Sequence, residues 1–381
     1  MAPSTPGRPL TVVQLLPALE SGGVEQSTIE IAEALQSAGH RAVVVSGGGR
    51  LLPMLEATGA RHVPLAIGRK SLWTLRHAWT LRRLFADVGA DVVHARSRLP
   101  AWLAWLALRN RAPGTRPRFV TTVHGLNSPS RYSAVMSRGE RVVCVSNTVR
   151  EHVLAHYPGT DPARLRVIPR GIDPSRFPPA RFRDAAARAA VAAEHPALSG
   201  TGALLLLPGR GTRLKGHVDA LQLLARMRAD GEDARLWMPG ARDPSRAAYV
   251  AELEALARTL GIEGCVAITP PTGAMAQAYA ASDLVLQLSR RPEAFGRTVL
   301  EARAVGRAVV GWDHGGVGET LRTWQPEGLV EPFDMDALRA TVHRLLGQPP
   351  TPPVTMPDTL RAMQDATLAV YAELQRIDEH A

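Results

Sequence analysis

Cysteine is scarce in this chain: 381 residues contain two, Cys144 and Cys265, far apart and each inside an apolar run. That excludes a disulfide framework and a cysteine metal cage, and predicts reduced, buried thiols. No cluster of His, Cys, Asp or Glu has metal-ligand spacing, so neither a resident cofactor nor a strict metal requirement is predicted. Long hydrophobic runs are also missing. The longest, residues 99–108, is too short to span a bilayer. The opening MAPSTPGRP lacks the charged start and apolar core of a secretion signal, so a cytoplasmic location is predicted. The Walker phosphate loop and the dinucleotide glycine fingerprint are absent, which removes the P-loop and standard dinucleotide readings. No helix-turn-helix, zinc or aromatic RNA-binding signature occurs, so nucleic acid is not the predicted partner.

What is present is a globular composition, 45% hydrophobic and 21% charged, with enough Val, Leu and Ala for substantial cores. The length exceeds what one core supports, so two domains are predicted. The net charge of +10 is unevenly placed: residues 1–175 hold 22 Arg and Lys against 11 Asp and Glu, and residues 176–381 hold 23 against 24. A basic first half implies contact with something anionic, either a membrane surface or a phosphorylated or acidic acceptor. All but two of the 45 basic residues are Arg, the exceptions being Lys70 and Lys215.

From Leu10 onwards short β-branched runs alternate with amphipathic stretches: TVVQLL, RAVVV, ADVVH, RFVTTVHG, RVVCVS and RLRVIP. This rhythm predicts a doubly wound parallel sheet with ligands beyond the carboxyl ends of its strands. The stretch 176–201 is Pro-, Ala- and Arg-rich without strand character and reads as an interdomain connection. A second series follows in ALLLLPG, ARLWMPG, CVAIT, DLVLQLS and AVVGW. The predicted division is therefore 1–175, a linker 176–201, a second domain 202–355, and a C-terminal segment 356–381 that is helical after a proline-rich interruption.

Within residues 290–318, RRPEAFGRTVLEARAVGRAVVGWDHGGVG, Glu293 lies in a loop before a helix and Glu301 about one turn inside it. Glu293 is placed to accept from sugar hydroxyls. Gly296, Arg297 and Thr298 offer backbone donors at a helix N-terminus suited to a diphosphate, and Glu301 can accept from ribose hydroxyls. A first turn that simply favours acidic residues is the plainer reading. Upstream, LLLLPGRGTRLKGH puts Arg210 and Lys215 on a glycine-rich turn after a buried strand, either as a pyrophosphate site or as a solvated turn. In the first half, SGGVEQS places Gly22 and Gly23 between a strand and a helix, and His124 follows the strand of TTVHG.

Taken together, SGGVE, DVVHARS, TVHG, VCVSNTVRE, VIPRGID, PGRGTRLKG, PEAFGRTVLE and GGVGE occur in an order that resembles family 4 of the glycosyltransferases. This is the large retaining GT-B family that includes phosphatidylinositol mannosyltransferases and lipopolysaccharide core glucosyltransferases. The resemblance implies an α/β, GT-B architecture of two doubly wound, Rossmann-like domains facing a central cleft, the first binding the acceptor and the second the nucleotide sugar, with the last helix crossing back to the first. It implies that Arg210 and Lys215 hold the diphosphate and that Glu293 contacts the transferred sugar. Phe295, Gly296, Arg297 and Thr298 would supply backbone donors, and Glu301 would hold the ribose. His124 would lie near the reacting sugar, Gly22 and Gly23 would close beneath phosphates and acceptor, and residues 270–273 would meet the base. The implied donor is a UDP- or GDP-type nucleotide sugar, and the acceptor a glycan or lipid-linked molecule of lipopolysaccharide or another cell-envelope polysaccharide. One departure is Arg170 where the family commonly has Asn: it either faces the cleft and an anionic acceptor, or is a surface residue at the hinge.

Residues 69–85, RKSLWTLRHAWTLRRLF, read either as a basic amphipathic helix on an anionic leaflet or as a helix packing its apolar stripe on the sheet, and both can hold. This allows a peripheral position on the inner face of the plasma membrane. A sugar-nucleotide 2-epimerase-like isomerase shares the expected fold, but the PEAFGRTVLE segment argues against it.

Overall fold

A computed structural model describes residues 8–20, 22–69, 71–109, 116–180, 183–353, 356 and 359–379. Ser21, which opens SGGVE, and Lys70 of the basic segment lie outside the described residues. The chain divides into two compact units, one formed by residues 1–169 with 360–381 and the other by 170–359.

The first unit contains β1 (Thr11–Leu15), α1 (Gly23–Ser37), β2 (Arg41–Ser46), α2 (Leu52–Glu56), β3 (Arg61–Pro64), α3 (His77–Asp87), β4 (Val92–Ala95), α4 (Arg98–Leu108), β5 (Arg118–Val123), β6 (Arg141–Cys144), α5 (Asn147–His156) and β7 (Leu165–Val167). Its sheet is parallel throughout, in the order β3-β2-β1-β4-β5-β6-β7. Strands covered on both faces read as near-continuous apolar runs rather than alternating ones, and β1 and β4 are buried at every residue, the polar Gln14 and His94 included.

The second unit contains α6 (Ala185–Glu194), β8 (Ala203–Leu206), α7 (His217–Ala229), β9 (Ala234–Pro239), α8 (Ala247–Thr259), β10 (Val266–Thr269), α9 (Met275–Ala281), β11 (Leu284–Gln287), α10 (Arg297–Val305), β12 (Ala308–Trp312), α11 (Gly315–Trp324), β13 (Leu329–Val330) and α12 (Met335–Gly347). Its parallel sheet runs β10-β9-β8-β11-β12-β13. Helices cover both faces, giving two apolar clusters, one around Leu221, Leu236 and Trp312 and the other around Leu204, Trp237 and Val299.

The stretch 176–201 is not a bare connection. Asp184 caps α6 by accepting from the Ala186 and Ala187 amides, and Ala187, Val191 and Leu198 join the cluster around Trp237. An Ala-rich sequence lacks strand character because it is helical, and its small side chains allow close packing on α9.

The last helix, α13 (Leu360–Glu379), counts with the first unit. Met363, Val370, Tyr371 and Leu374 join that unit's core. The Tyr371 hydroxyl lies 2.7 Å from His94 Nδ1, and Glu373 pairs with Arg141 at 2.7 Å and Arg166 at 2.6 Å.

Candidate active site

In the second sheet the strand order reverses between β8 and β11, and a doubly wound sheet binds ligands beyond the carboxyl ends of its strands at that reversal. The segments leaving those two strands carry the sequence-derived candidates. After β8 the chain turns through Gly209 to Gly216, whose φ of 74° is left-handed; a Cβ on Gly216 would stand 2.0 Å from the Leu288 carbonyl oxygen. Only glycine lets the turn approach the end of β11 so closely.

Lys215 occupies this turn, and its stem runs past Gly209, where an added Cβ would lie 3.4 Å from Lys215 Cδ. Its Nζ donates to Glu293 Oε1 at 2.7 Å. The Ser289 hydroxyl donates to the same oxygen. Arg210 is exposed on the same turn, within electrostatic range of Asp243.

The loop bearing Glu293 is clamped from the end of β12. His314 Nε2 sits 2.7 Å from the Ser289 carbonyl oxygen, and the Gly316 amide donates to the Glu293 carbonyl at 2.7 Å. A Cβ on Gly316 would come within 2.5 Å of Ala294 and Phe295 backbone atoms. Phe295 anchors the loop by packing near Leu300 and Ile172.

Gly296 is the N-cap of α10 and no side chain caps the helix through a hydrogen bond, so the positive end of the helix dipole is directed at the space before it. One turn inside, Glu301 Oε2 accepts from the Tyr279 hydroxyl at 2.8 Å, and Oε1 lies 3.4 Å from Arg297 Nε. Burial pushes the Glu301 carboxyl above its ordinary range, opposed by the Tyr279 hydrogen bond and by Arg297. Tyr279 is fully buried, and burial drives its hydroxyl well up. Residues 270–273 edge a cavity of about 350 Å³ lined also by Trp237, Thr269 and Gln277.

The second unit thus brings together Arg210, Lys215, Glu293, Phe295, Gly296, Arg297, Thr298 and Glu301. Gly22, Gly23 and His124 belong to the first unit, beyond the carboxyl ends of β1 and β5. Gly22 has φ 137°, and an added Cβ would stand 2.8 Å from Glu25 Oε2, whereas one on Gly23 would meet nothing within 4 Å. Arg170 is 9% exposed, so the surface-residue reading of it is corrected. Among the described residues, no group of three or more His, Cys, Asp or Glu is arranged to hold a metal ion. Sequence reasoning missed Ser289, His314 and Tyr279. The first two follow strand ends, where a parallel sheet places its ligands, and that signal could have found them.

Residues 21–176 match the model for Glycosyltransferase Family 4, and residues 193–356 that for Glycosyl transferases group 1. The chain belongs to glycosyltransferase family 4. Its two sheets are the Rossmann-like domains of the GT-B fold. A curated relative of this family-4 chain, the D-inositol 3-phosphate glycosyltransferase of Geodermatophilus obscurus, is 30% identical over 284 residues, covering 68% of this chain and 60% of the relative. A relative of the same description in Catenulispora acidiphila is 28% identical across 87% of this chain and 84% of its own. Among solved structures, a glycosyltransferase from Rickettsia africae superposes with a TM-score of 0.84 at 26% identity, covering 97% of this chain and 99% of that one. HepE from Anabaena, solved with UDP and glucose, has a TM-score of 0.73 at 19% identity, covering 96% and 95%, a likeness of fold alone.

Proposed function

We propose that this protein is a retaining glycosyltransferase that moves a hexose from a nucleoside-diphosphate sugar to an anionic acceptor, a glycan or lipid-linked molecule of cell-envelope polysaccharide synthesis. The observation that carries this reading is the Lys215–Glu293 pair at 2.7 Å, set at the strand-order reversal beside the α10 N-terminus, which no side chain caps. Breaking the anomeric bond leaves positive charge on the sugar and negative charge on the departing diphosphate. Lys215, Arg210 and the α10 amides are cations and donors preorganised for that negative charge, and Glu293 is an acceptor for the sugar hydroxyls. Glu301 serves the ribose, and residues 270–273 the base. His124 and the Gly22–Gly23 turn serve the reacting sugar and the acceptor. Retention fits a site whose motifs provide no carboxylate nucleophile opposite the leaving group.

The donor is a UDP- or GDP-type nucleotide sugar, and the fold neighbour HepE was solved with UDP and with UDP-glucose. A second acceptor reading, a phosphorylated polyol, is favoured by the D-inositol 3-phosphate glycosyltransferases among its relatives. Both readings suit the basic first half. The exposed Trp73 and Trp79 beside Arg76 and Arg83 support contact with an anionic membrane surface.

A panel of nucleotide sugars and free nucleoside diphosphates, screened by thermal shift and then by turnover, tests the reading, because a ligand of the native state raises apparent stability. One nucleotide sugar should stabilise the protein and be consumed. Lys215→Ala and Glu293→Ala should each lower kcat by roughly a hundredfold or more without unfolding the chain. Near-normal turnover in both folded variants would refute the assignment.

A further inference from the structure

Lys215 and Glu293 come from segments that leave different strands, so their 2.7 Å contact requires a fixed spacing between the turn after β8 and the loop after β11. The contact does not fix that spacing alone, because the two side chains are 26% and 29% exposed and pairs so exposed contribute little by themselves. The spacing is set behind the site. The Arg290 amide donates to the Leu214 carbonyl at 2.8 Å, immediately before Lys215, and Gly216 abuts Leu288. Arg290 Nη1 also donates to Asp219 Oδ1 at 2.5 Å, its own side chain 45% exposed and that of Asp219 6%.

Asp219 belongs to the first turn of α7, the helix that Lys215 precedes, and it is 4% exposed. Burial pushes its carboxyl up, and Arg290 opposes that shift. Its Oδ2 is buried without a hydrogen-bond partner, so Arg290 carries the charge compensation. The Arg290 guanidinium also lies 5.0 Å from the centre of the Phe333 ring, which limits where it can swing. Two ion pairs therefore bridge the same two segments: Lys215–Glu293 at the site, and Asp219–Arg290 behind it.

We propose that Asp219 and Arg290 are positioning residues: the buried Asp219 carboxylate, held by the part-exposed Arg290 guanidinium, keeps the Lys215 turn and the Glu293 loop in register together with the Arg290–Leu214 backbone hydrogen bond. Neither touches the reacting atoms. Their effect passes through Lys215, which must meet the diphosphate while Glu293 meets the sugar. The catalytic consequence rests on the donor-site reading, and the geometric one does not.

The chain offers a direct probe, because Lys215 and Lys70 are its two lysines. Acylation by an amine-selective reagent, resolved by peptide mass spectrometry, reports the Lys215 amine with Lys70 as internal reference. An ammonium held by a carboxylate is protected, and one released from it is not. Arg290→Gln should raise Lys215 labelling by about threefold, the scale of a part-exposed pair, as should Glu293→Gln. The doubly neutral Asp219→Asn/Arg290→Gln variant, which buries no lone charge, should do the same. Arg290→Lys restores the cation and should return the rate towards wild type. With an active donor, Arg290→Gln should lower kcat by roughly ten- to a hundredfold and change donor KM far less, as misplacement of a transition-state contact does. Unchanged Lys215 labelling in the single and double neutral variants would overturn the proposal, and so would raised labelling with an unchanged kcat. If the wild-type protein consumes no nucleotide sugar, the donor-site reading fails while the labelling still decides the pair.

Discussion

Glu301 is held by Tyr279 and Arg297 at a place where burial raises its proton affinity. A carboxyl whose folded-state pKa exceeds its unfolded value contributes stability below the unfolded pKa and loses it as pH rises through the folded one, so at neutral pH the ionised group costs the fold something. The charge is nevertheless what a ribose diol would bind best, because hydrogen bonds to an ionised acceptor contribute ~1.5–3 kcal/mol. Glu301→Gln keeps the shape and removes the charge. It should leave the melting temperature at pH 7 unchanged or higher, yet weaken nucleotide binding by roughly ten- to a hundredfold. Calorimetric titration beside thermal melts checks this, and a variant that binds normally would remove Glu301 from the nucleotide site.

Among the elements, α13 shows how a distant segment is secured to a sheet edge. Glu373 is drawn down to about 2 chiefly by the Arg141 hydrogen bond, helped by Arg166 and opposed by burial. A depressed carboxyl contributes stability that is present above its unfolded pKa and lost as pH falls towards the folded value, so this anchor should fail between about pH 4.5 and 2. With the side chain 33% exposed, screening limits its worth to no more than ~1–2 kcal/mol. Glu373→Gln should therefore lower the melting temperature by a few degrees at neutral pH. It should also flatten the acid slope over roughly pH 2 to 6, and parallel slopes for variant and wild type would contradict the account. Legibility varied among elements for a physical reason. The central strands β1, β4, β8 and β11 were readable because burial on both faces favours mostly apolar, β-branched or leucine-rich runs, even where a buried polar residue such as Gln14 or His94 interrupts them. The edge strand β3, exposed or half-exposed throughout, and the two-residue β13 carry no such run. In the site, Glu293 and Glu301 were legible from local spacing, as were Arg210 and Lys215. Ser289 and His314 were legible only as residues following strand ends, whereas their partners, like the Asp219–Arg290 pair, depend on the parallel sheet bringing together loops that follow different strands, and no local pattern encodes that.

On the scale of the whole molecule, the excess positive charge and the exposed tryptophans fall in the same unit. The first unit, residues 1–169 with 360–381, carries 23 basic residues against 14 acidic. In α3, Ala78, Leu81 and Phe85 are buried, whereas Trp79 is 70% exposed, and Trp73, in the short turn before the helix, is 76% exposed. The inward-packing reading of residues 69–85 holds for one stripe of α3, and that packing leaves indole and guanidinium groups outside. Among the described residues no helix is long and apolar enough to cross a membrane, so any bilayer contact through α3 is interfacial. Tryptophan suits the headgroup region, and each basic residue near an anionic leaflet adds ~1 kcal/mol. Neutralising Arg76, Arg82 and Arg83 should therefore reduce partition onto phosphatidylserine-containing vesicles by roughly a hundredfold. Trp73→Ser with Trp79→Ser should weaken binding to charged and neutral vesicles alike, because that contribution is apolar rather than Coulombic. Raising the salt should reproduce the arginine effect and spare the tryptophan effect, since only the former is screened. If neither set of changes alters sedimentation with vesicles, the positive charge of the first unit must answer to a charged acceptor instead, and the phosphorylated-polyol reading gains accordingly.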